Sequence, residues 1–142
     1  MDFWMISGRL ALAFLLGGLI GWERERWDKP AGLRTLILVS TGSALFALVS
    51  LTVIEMTPSA TPADPLRIVA GIAQGIGFLG AGTILVTRGA VQGLTTAAAI
   101  WATSAVGTAC GFGLWQIALA GTVLTFSALR LLGALERRIG PR

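Results

Sequence analysis

The sequence has no histidine, no tyrosine and a single cysteine, and it carries little charge. Without histidine, the commonest metal ligand and the usual general base are missing. Cys110 stands alone, so an intrachain disulfide is impossible. Its apolar surroundings point to a small buried side chain rather than a reactive thiol. Charged residues make up 13% of the chain, against about 25% in a typical soluble domain. The seven acidic residues fall in linkers or near the ends of apolar segments. Divalent cations want several oxygen ligands, mostly carboxylate, so neither a resident metal nor any other cofactor is expected. No nucleophile–base pair stands out either, and an enzyme is not expected.

What the chain does have is apolar length. Its 142 residues suffice for one domain, and the mean hydropathy is +0.78. A helix crossing a bilayer needs about 20 mostly apolar residues. Five segments qualify, at about 3–22, 32–54, 66–87, 91–111 and 114–135. The expected fold is an all-α membrane protein, a compact bundle of five transmembrane helices forming one domain over 1–142. The first segment lacks a basic start and a small-residue cleavage site, so it is expected to stay rather than act as a signal peptide.

The basic residues give the bundle a direction. Arg24, Arg26, Lys29 and Arg34 fall between segments one and two, Arg88 between three and four, and Arg137, Arg138 and Arg142 in the tail. Five crossings put all of these on one side, which is then cytoplasmic. The N-terminus faces out and the C-terminus in. Trp4 and Trp115 fall near the outer interface, Trp22 and Trp27 near the inner one, as amphipathic rings do. Trp101 falls mid-helix, packed in the bundle or facing acyl chains. The pI is about 11.1, yet the cations form no face interleaved with aromatics, so nucleic acid is not an expected partner. The lipid bilayer is.

Glycine is the most informative residue. The stretch 64–87 carries Gly71, Gly75, Gly77, Gly80 and Gly82. In water each would cost a helix roughly 1 kcal/mol against alanine. In a bilayer the backbone must pair internally whatever its propensity, and bare backbone lets helices approach closely. The stretch reads as the buried helix of the bundle. G-x-x-x-G pairs also occur at Gly17–Gly21 and Gly107–Gly111. Gly75, Gly77 and Gly80 match G-x-G-x-x-G, but no strand precedes them and no acid follows about 20 residues on, so dinucleotide binding is rejected. A locally unwound 75–82 stretch exposing carbonyls to an ion is the sharper alternative to packing.

Several polar residues need partners. Arg9 lies roughly 9 Å into the first helix at 1.5 Å per residue. It is expected to meet Asp64 or the carbonyl end of another helix, or to snorkel to headgroups. Asp64 before Pro65 reads as an N-cap and first turn, with Arg67 at the same outer level. Glu23, Arg24, Glu25 and Arg26 alternate in sign and read as a solvated helix end. Thr95 and Thr96 open the fourth helix as polar glue between helices, or as the lining of a path.

Four stretches carry a resemblance: GGLIGWERE at 17–25, AGLRTLILVSTGSALF at 31–46, DPLRIVAGIAQGIGFLGAGTIL at 64–85 and GLTTAAAIWATSAVGTACGFG at 93–113. On these the chain resembles the MgtC/SapB membrane proteins. The resemblance implies a multi-pass bacterial inner-membrane protein tied to magnesium limitation and virulence. It implies a regulatory or accessory role, including modulation of membrane ATPases, exerted as a homo-oligomer or in a larger membrane complex. The alternative is a small oligomeric channel or carrier for Mg²⁺ or another cation, with helices three and four at the path. The motif positions it marks are Glu23, Arg24, Arg34, Thr35, Asp64, Arg67, Gly75, Gly77, Gly80, Gly82, Thr95, Thr96 and Trp101. Several members continue into a soluble cytoplasmic domain, and this sequence reads as the transmembrane part alone.

Overall fold

The five prolines, Pro30, Pro58, Pro62, Pro65 and Pro141, all fall outside the interiors of the apolar runs, with Pro65 at the first position of one helix, so none interrupts them. The computed structural model describes residues 1–56, 64–87 and 90–134. The helices are α1 (Phe3–Arg26), α2 (Leu33–Met56), α3 (Pro65–Ala81), α4 (Leu94–Phe112) and α5 (Trp115–Ser127), and a π-helical turn over Ala128–Leu132 continues α5. Two short strands, β1 (Leu85–Thr87) and β2 (Ala90–Gln92), pair antiparallel between α3 and α4, with Val86 opposite Val91. Helices α1 and α2 are each long and apolar enough to cross a membrane.

Two features depart from the sequence expectation. The third helix stops at Ala81 instead of running to Thr87, and the chain turns into the hairpin. The run Thr83–Thr87 is rich in β-branched residues, which suit an extended chain, and Thr83 Oγ1 donates to Gly80 O at 2.8 Å to close the helix end. Nor is α3 the buried helix: Gly80 is its one buried residue. The centre is built instead from α1, α2 and α4, through Ala13, Leu16, Ile20, Leu36, Ala44, Ile100, Val106 and Cys110. The residues 57–63, most of the expected outer loop, lie outside the described residues, as do Arg88, Arg137, Arg138 and Arg142, on which the orientation partly rests.

Successive helices run in alternating directions. The Met1 amine pairs with Glu55 at 3.3 Å, joining the start of α1 to the end of α2. Gly80, at the end of α3, packs on Ala97 in the first turns of α4. Trp4 and Trp115 thus fall at one end of the bundle, and Trp22 and Trp27 at the other. Two turns demand glycine. Gly93 enters α4 at φ 88° with its α-carbon against the Thr83 carbonyl, and Gly113 leaves α4 at φ 78°.

The helix interfaces are backbone contacts. A Cβ at Gly107 would overlap the Ser40 carbonyl of α2. At Gly111 it would lie 2.6 Å from Ala44 O, at Gly17 2.6 Å from Ser40 Cβ, and at Gly21 2.8 Å from Leu33 Cα. Small polar side chains fill the same seams: Ser40 Oγ donates to Ala13 O at 2.8 Å, and Ser43 and Ser104 share a 2.7 Å hydrogen bond. By contrast, a Cβ at Gly71, Gly75 or Gly77 would meet nothing within 4 Å. Gly107→Val should therefore cost roughly 1–3 kcal/mol or more by overpacking, read as a lower Tm in mild detergent. Gly71→Ala should hold or raise Tm, because alanine favours a helix by about 1 kcal/mol over glycine.

Candidate functional site

The end of α1, the 27–32 turn and the start of α4 form the most heavily built polar cluster among the described residues. Arg24 is 5% exposed. Its Nη2 donates to Thr96 Oγ1 at 2.7 Å and to the Pro30 carbonyl at 3.2 Å, while its Nε has no partner. A buried guanidinium is costly unless its donors are used, so Thr96 and the turn hold it in place. The turn that brings Pro30 back passes through positive φ at Asp28 (49°) and Ala31 (56°). It is closed by Glu25, whose Oε2 accepts from Leu33 N at 2.9 Å and caps α2. Gly32 leaves the room for that carboxylate.

The alternating charges at 23–26 are therefore not a uniformly solvated helix end. Glu23 and Arg24 are buried; Glu25 is exposed but committed to a cap, and Arg26 is exposed over the Trp22 ring at 5.5 Å. The turn into α2 and the first turn of α4 cover one face of α1, which charge alternation cannot foretell.

At the opposite end, Arg9 Nη1 donates to the Gly111 carbonyl at 2.9 Å. Of the partners considered from sequence, the structure uses the carbonyl end of a helix. A cation suits that position because the turn after α4 pairs the Ala109 and Cys110 carbonyls but leaves Gly111 O for Arg9, and the helix end is partially negative. Gly113 matters here too, since a Cβ there would lie 2.7 Å from Arg9 Nη2. Asp64 is not Arg9's partner. Its Oδ1 accepts from Leu66 N at 2.9 Å and caps α3.

The remaining candidates are not gathered into a site. Arg34 and Thr35 are exposed in the first turn of α2, Arg67 is exposed in α3, and Thr95 is exposed beside buried Thr96. Trp101 is 57% exposed on the outside of α4. No cluster of three or more His, Cys, Asp and Glu able to hold a metal occurs among the described residues. Sequence reasoning missed Pro30, Glu25 as a cap, and the Ser40, Ser43 and Ser104 seam. The spacing Ser40, Ala44, Ala47 was the available signal, because small residues four and three apart make the same close-approach face as glycines.

A wide apolar groove of about 660 Å³ lies between α2 and α3. Gly42, Gly71 and Gly75 are on its walls with Leu38, Phe46 and Leu79. A Cβ at any of those three glycines would meet open space.

An antiparallel helical bundle, tied to α4 at each end by an arginine and coated with apolar side chains, defines the class of protein. The chain belongs to the MgtC family, whose profile matches residues 10–138. It is 44% identical to protein SrpB of Synechococcus elongatus, covering 96% of this chain and 79% of SrpB. It is 45% identical to protein MgtC of Salmonella typhimurium, covering 92% of this chain and 53% of that protein. It is 42% identical to YhiD of Escherichia coli K12, provisionally named a magnesium transporter, over 92% of this chain and 62% of YhiD. The chain thus spans about half to four fifths of these relatives. No solved structure matches it.

Thr96→Val should leave Arg24 with a further buried donor unpaired and cost about 1–3 kcal/mol, whereas Thr96→Ser should keep the bond; thermal melting in detergent separates them. Arg9→Ala should likewise lower Tm, by the loss of a charged hydrogen bond worth about 1.5–3 kcal/mol.

Proposed function

We propose that the chain is a multi-pass protein of the bacterial inner membrane, with its N-terminus outside and its C-terminus cytoplasmic. It acts without chemistry of its own, as a regulatory or accessory protein in magnesium limitation, through helix contacts with itself or a larger membrane complex. Links to virulence and to membrane ATPases come with the same reading. The membrane part is supported by side chains that water would not tolerate in such number: Trp4 is 83% exposed, Phe78 82% and Phe46 68%. The alternation of helix direction supports five crossings, with Arg24, Arg26, Lys29, Arg34 and Arg130 toward one end.

The observation that carries the contact reading is the glycine face of α3 on the groove beside α2. Gly71 and Gly75 are four apart and line that groove, and a Cβ at either would meet nothing within 4 Å among the described residues. In a bilayer such a face binds another helix by close backbone approach. A second reading, a small cation channel or carrier with α3 and α4 at the path, is favoured by the name of YhiD. The two part experimentally. Gly71→Leu with Gly75→Leu should dissolve the assembly, read by native mass in nanodiscs and by detergent pull-down, with Tm nearly unchanged. A wild-type protein that is strictly monomeric and partnerless would overturn the contact reading. Cation flux in proteoliposomes that vanishes on changing Asp64 or Gly77 would establish the second.

A further inference from the structure

A small pocket of about 40 Å³ sits where the end of α1 meets the π-helical turn. Its walls are Trp22, Glu23, Arg26, Trp27, Phe126 and Arg130. We infer that this pocket binds a singly charged phosphodiester, the headgroup phosphate of a cytoplasmic-leaflet phospholipid, between the guanidiniums of Arg26 and Arg130. The lipid as source rests on the membrane reading above, whereas the diester chemistry rests on the pocket itself.

Three observations carry it. First, the two arginines come from different helices and neither forms a hydrogen bond or ion pair with a described residue. Each is instead laid over an aromatic ring, Arg26 over Trp22 at 5.5 Å and Arg130 over Phe126 at 5.9 Å. Stacking fixes a guanidinium plane and leaves its N–H edge free for an anion. Second, Arg130 lies within the π-helical turn Ala128–Leu132, a rare distortion that tends to mark functional positions. Third, Glu23 is 6% exposed, lines the pocket, and accepts no hydrogen bond from any described residue. Its charge decides which anion fits. The pocket's own walls carry two guanidiniums and one carboxylate, a net charge of one that a diester matches and a dianionic monoester exceeds, while Arg24, beside Glu23 but outside the walls, is turned to Thr96 and the Pro30 carbonyl. Two forks arriving from separate helices also suit a phosphate, whose oxygens spread tetrahedrally, better than a carboxylate, whose two oxygens one fork can satisfy. The gap holds one small polar group, with the rest of the headgroup outside it beside Trp22 and Trp27, residues suited to the headgroup level.

The test uses the full chain, delipidated in maltoside micelles. Phosphatidylglycerol, phosphatidate and the soluble diester glycerophosphoglycerol are added separately, and bound copies are counted by native mass spectrometry. Wild type should retain one phosphatidylglycerol and bind the soluble diester far more weakly. Arg26→Gln and Arg130→Gln should each lower that retention about tenfold; both side chains are exposed, so folding should survive, checked by circular dichroism. Arg67→Gln, at the far end, should leave it unchanged. Glu23→Gln should shift preference toward phosphatidate, an effect that a merely structural carboxylate would not produce. Equal retention in all variants, or an equal loss in Arg67→Gln, would overturn the site. Equal binding of the soluble diester would overturn the lipid as its source. Failure of the membrane reading shows separately, as wild-type protein that stays monodisperse in buffer without amphiphile.

Discussion

The structure depends on how closely α4 approaches α2. Gly107 and Gly111 lay bare backbone on the Ser40 and Ala44 carbonyls, leaving no space for even one methyl group. α1 packs against both, on α2 through Gly17 and Gly21 and on α4 through Arg9 and Arg24, with Ser40 touching Gly17 and Gly107 alike. In water such a core would be poor, because small residues bury little apolar area. In lipid, burial of apolar area no longer drives helices together, and dispersion and hydrogen bonds between close backbones take over. The Ser40–Ala13 and Ser43–Ser104 bonds fall in the same seams, since only helices this close bring a serine within reach of its neighbour.

Two arginines set the ends of this arrangement. Arg24 fastens the end of α1 to the first turn of α4, and Arg9 fastens the beginning of α1 to the last turn of α4. Neither uses a carboxylate within hydrogen-bonding reach. A hydroxyl and backbone carbonyls take the bonded donors, so each bond fixes geometry without a paired carboxylate, although Glu23 beside Arg24 offsets part of its charge through space. A pair of fastenings at opposite ends of one helix also fixes the register between α1 and α4, which glycine faces alone would allow to slide.

Much of this was legible in the sequence. The five helices followed from apolar length, and the close faces of α1 and α4 from glycines four apart. The hairpin was not, because hydropathy scores Thr83–Thr87 as it would a helix end, and the preference of β-branched residues for extended backbone is weak against it. Burial of Glu23 and Arg24 was not legible either. Alternating charges mark a solvated surface only when nothing folds back over it, and here the 27–32 turn does so through two residues at positive φ that no composition rule singles out. Glycine spacing also misled for α3, since the same four-residue interval describes a face that packs inside the chain and one that does not.

That ambiguity separates two kinds of glycine. At Gly17, Gly21, Gly107 and Gly111 a methyl group would collide with a neighbour, so the residue is accounted for by the chain's own packing. At Gly42, Gly71, Gly75 and Gly77 a methyl group would enter open space, and alanine would favour the helix by about 1 kcal/mol at each. Nothing among the described residues accounts for bare backbone at these positions, which is the opening that the proposed contact reading uses. An ion path fits poorly at Gly42, Gly71 and Gly75, because the surface they share is walled mainly by Leu38, Phe46, Ile72 and Leu79, carries no carboxylate, and has its two hydroxyls, Ser43 and Ser50, bonded to Ser104 and the Phe46 carbonyl. A neighbouring helix would match the bare backbone and the apolar walls together, and the proposal of contact rather than conduction at α3 rests on that match.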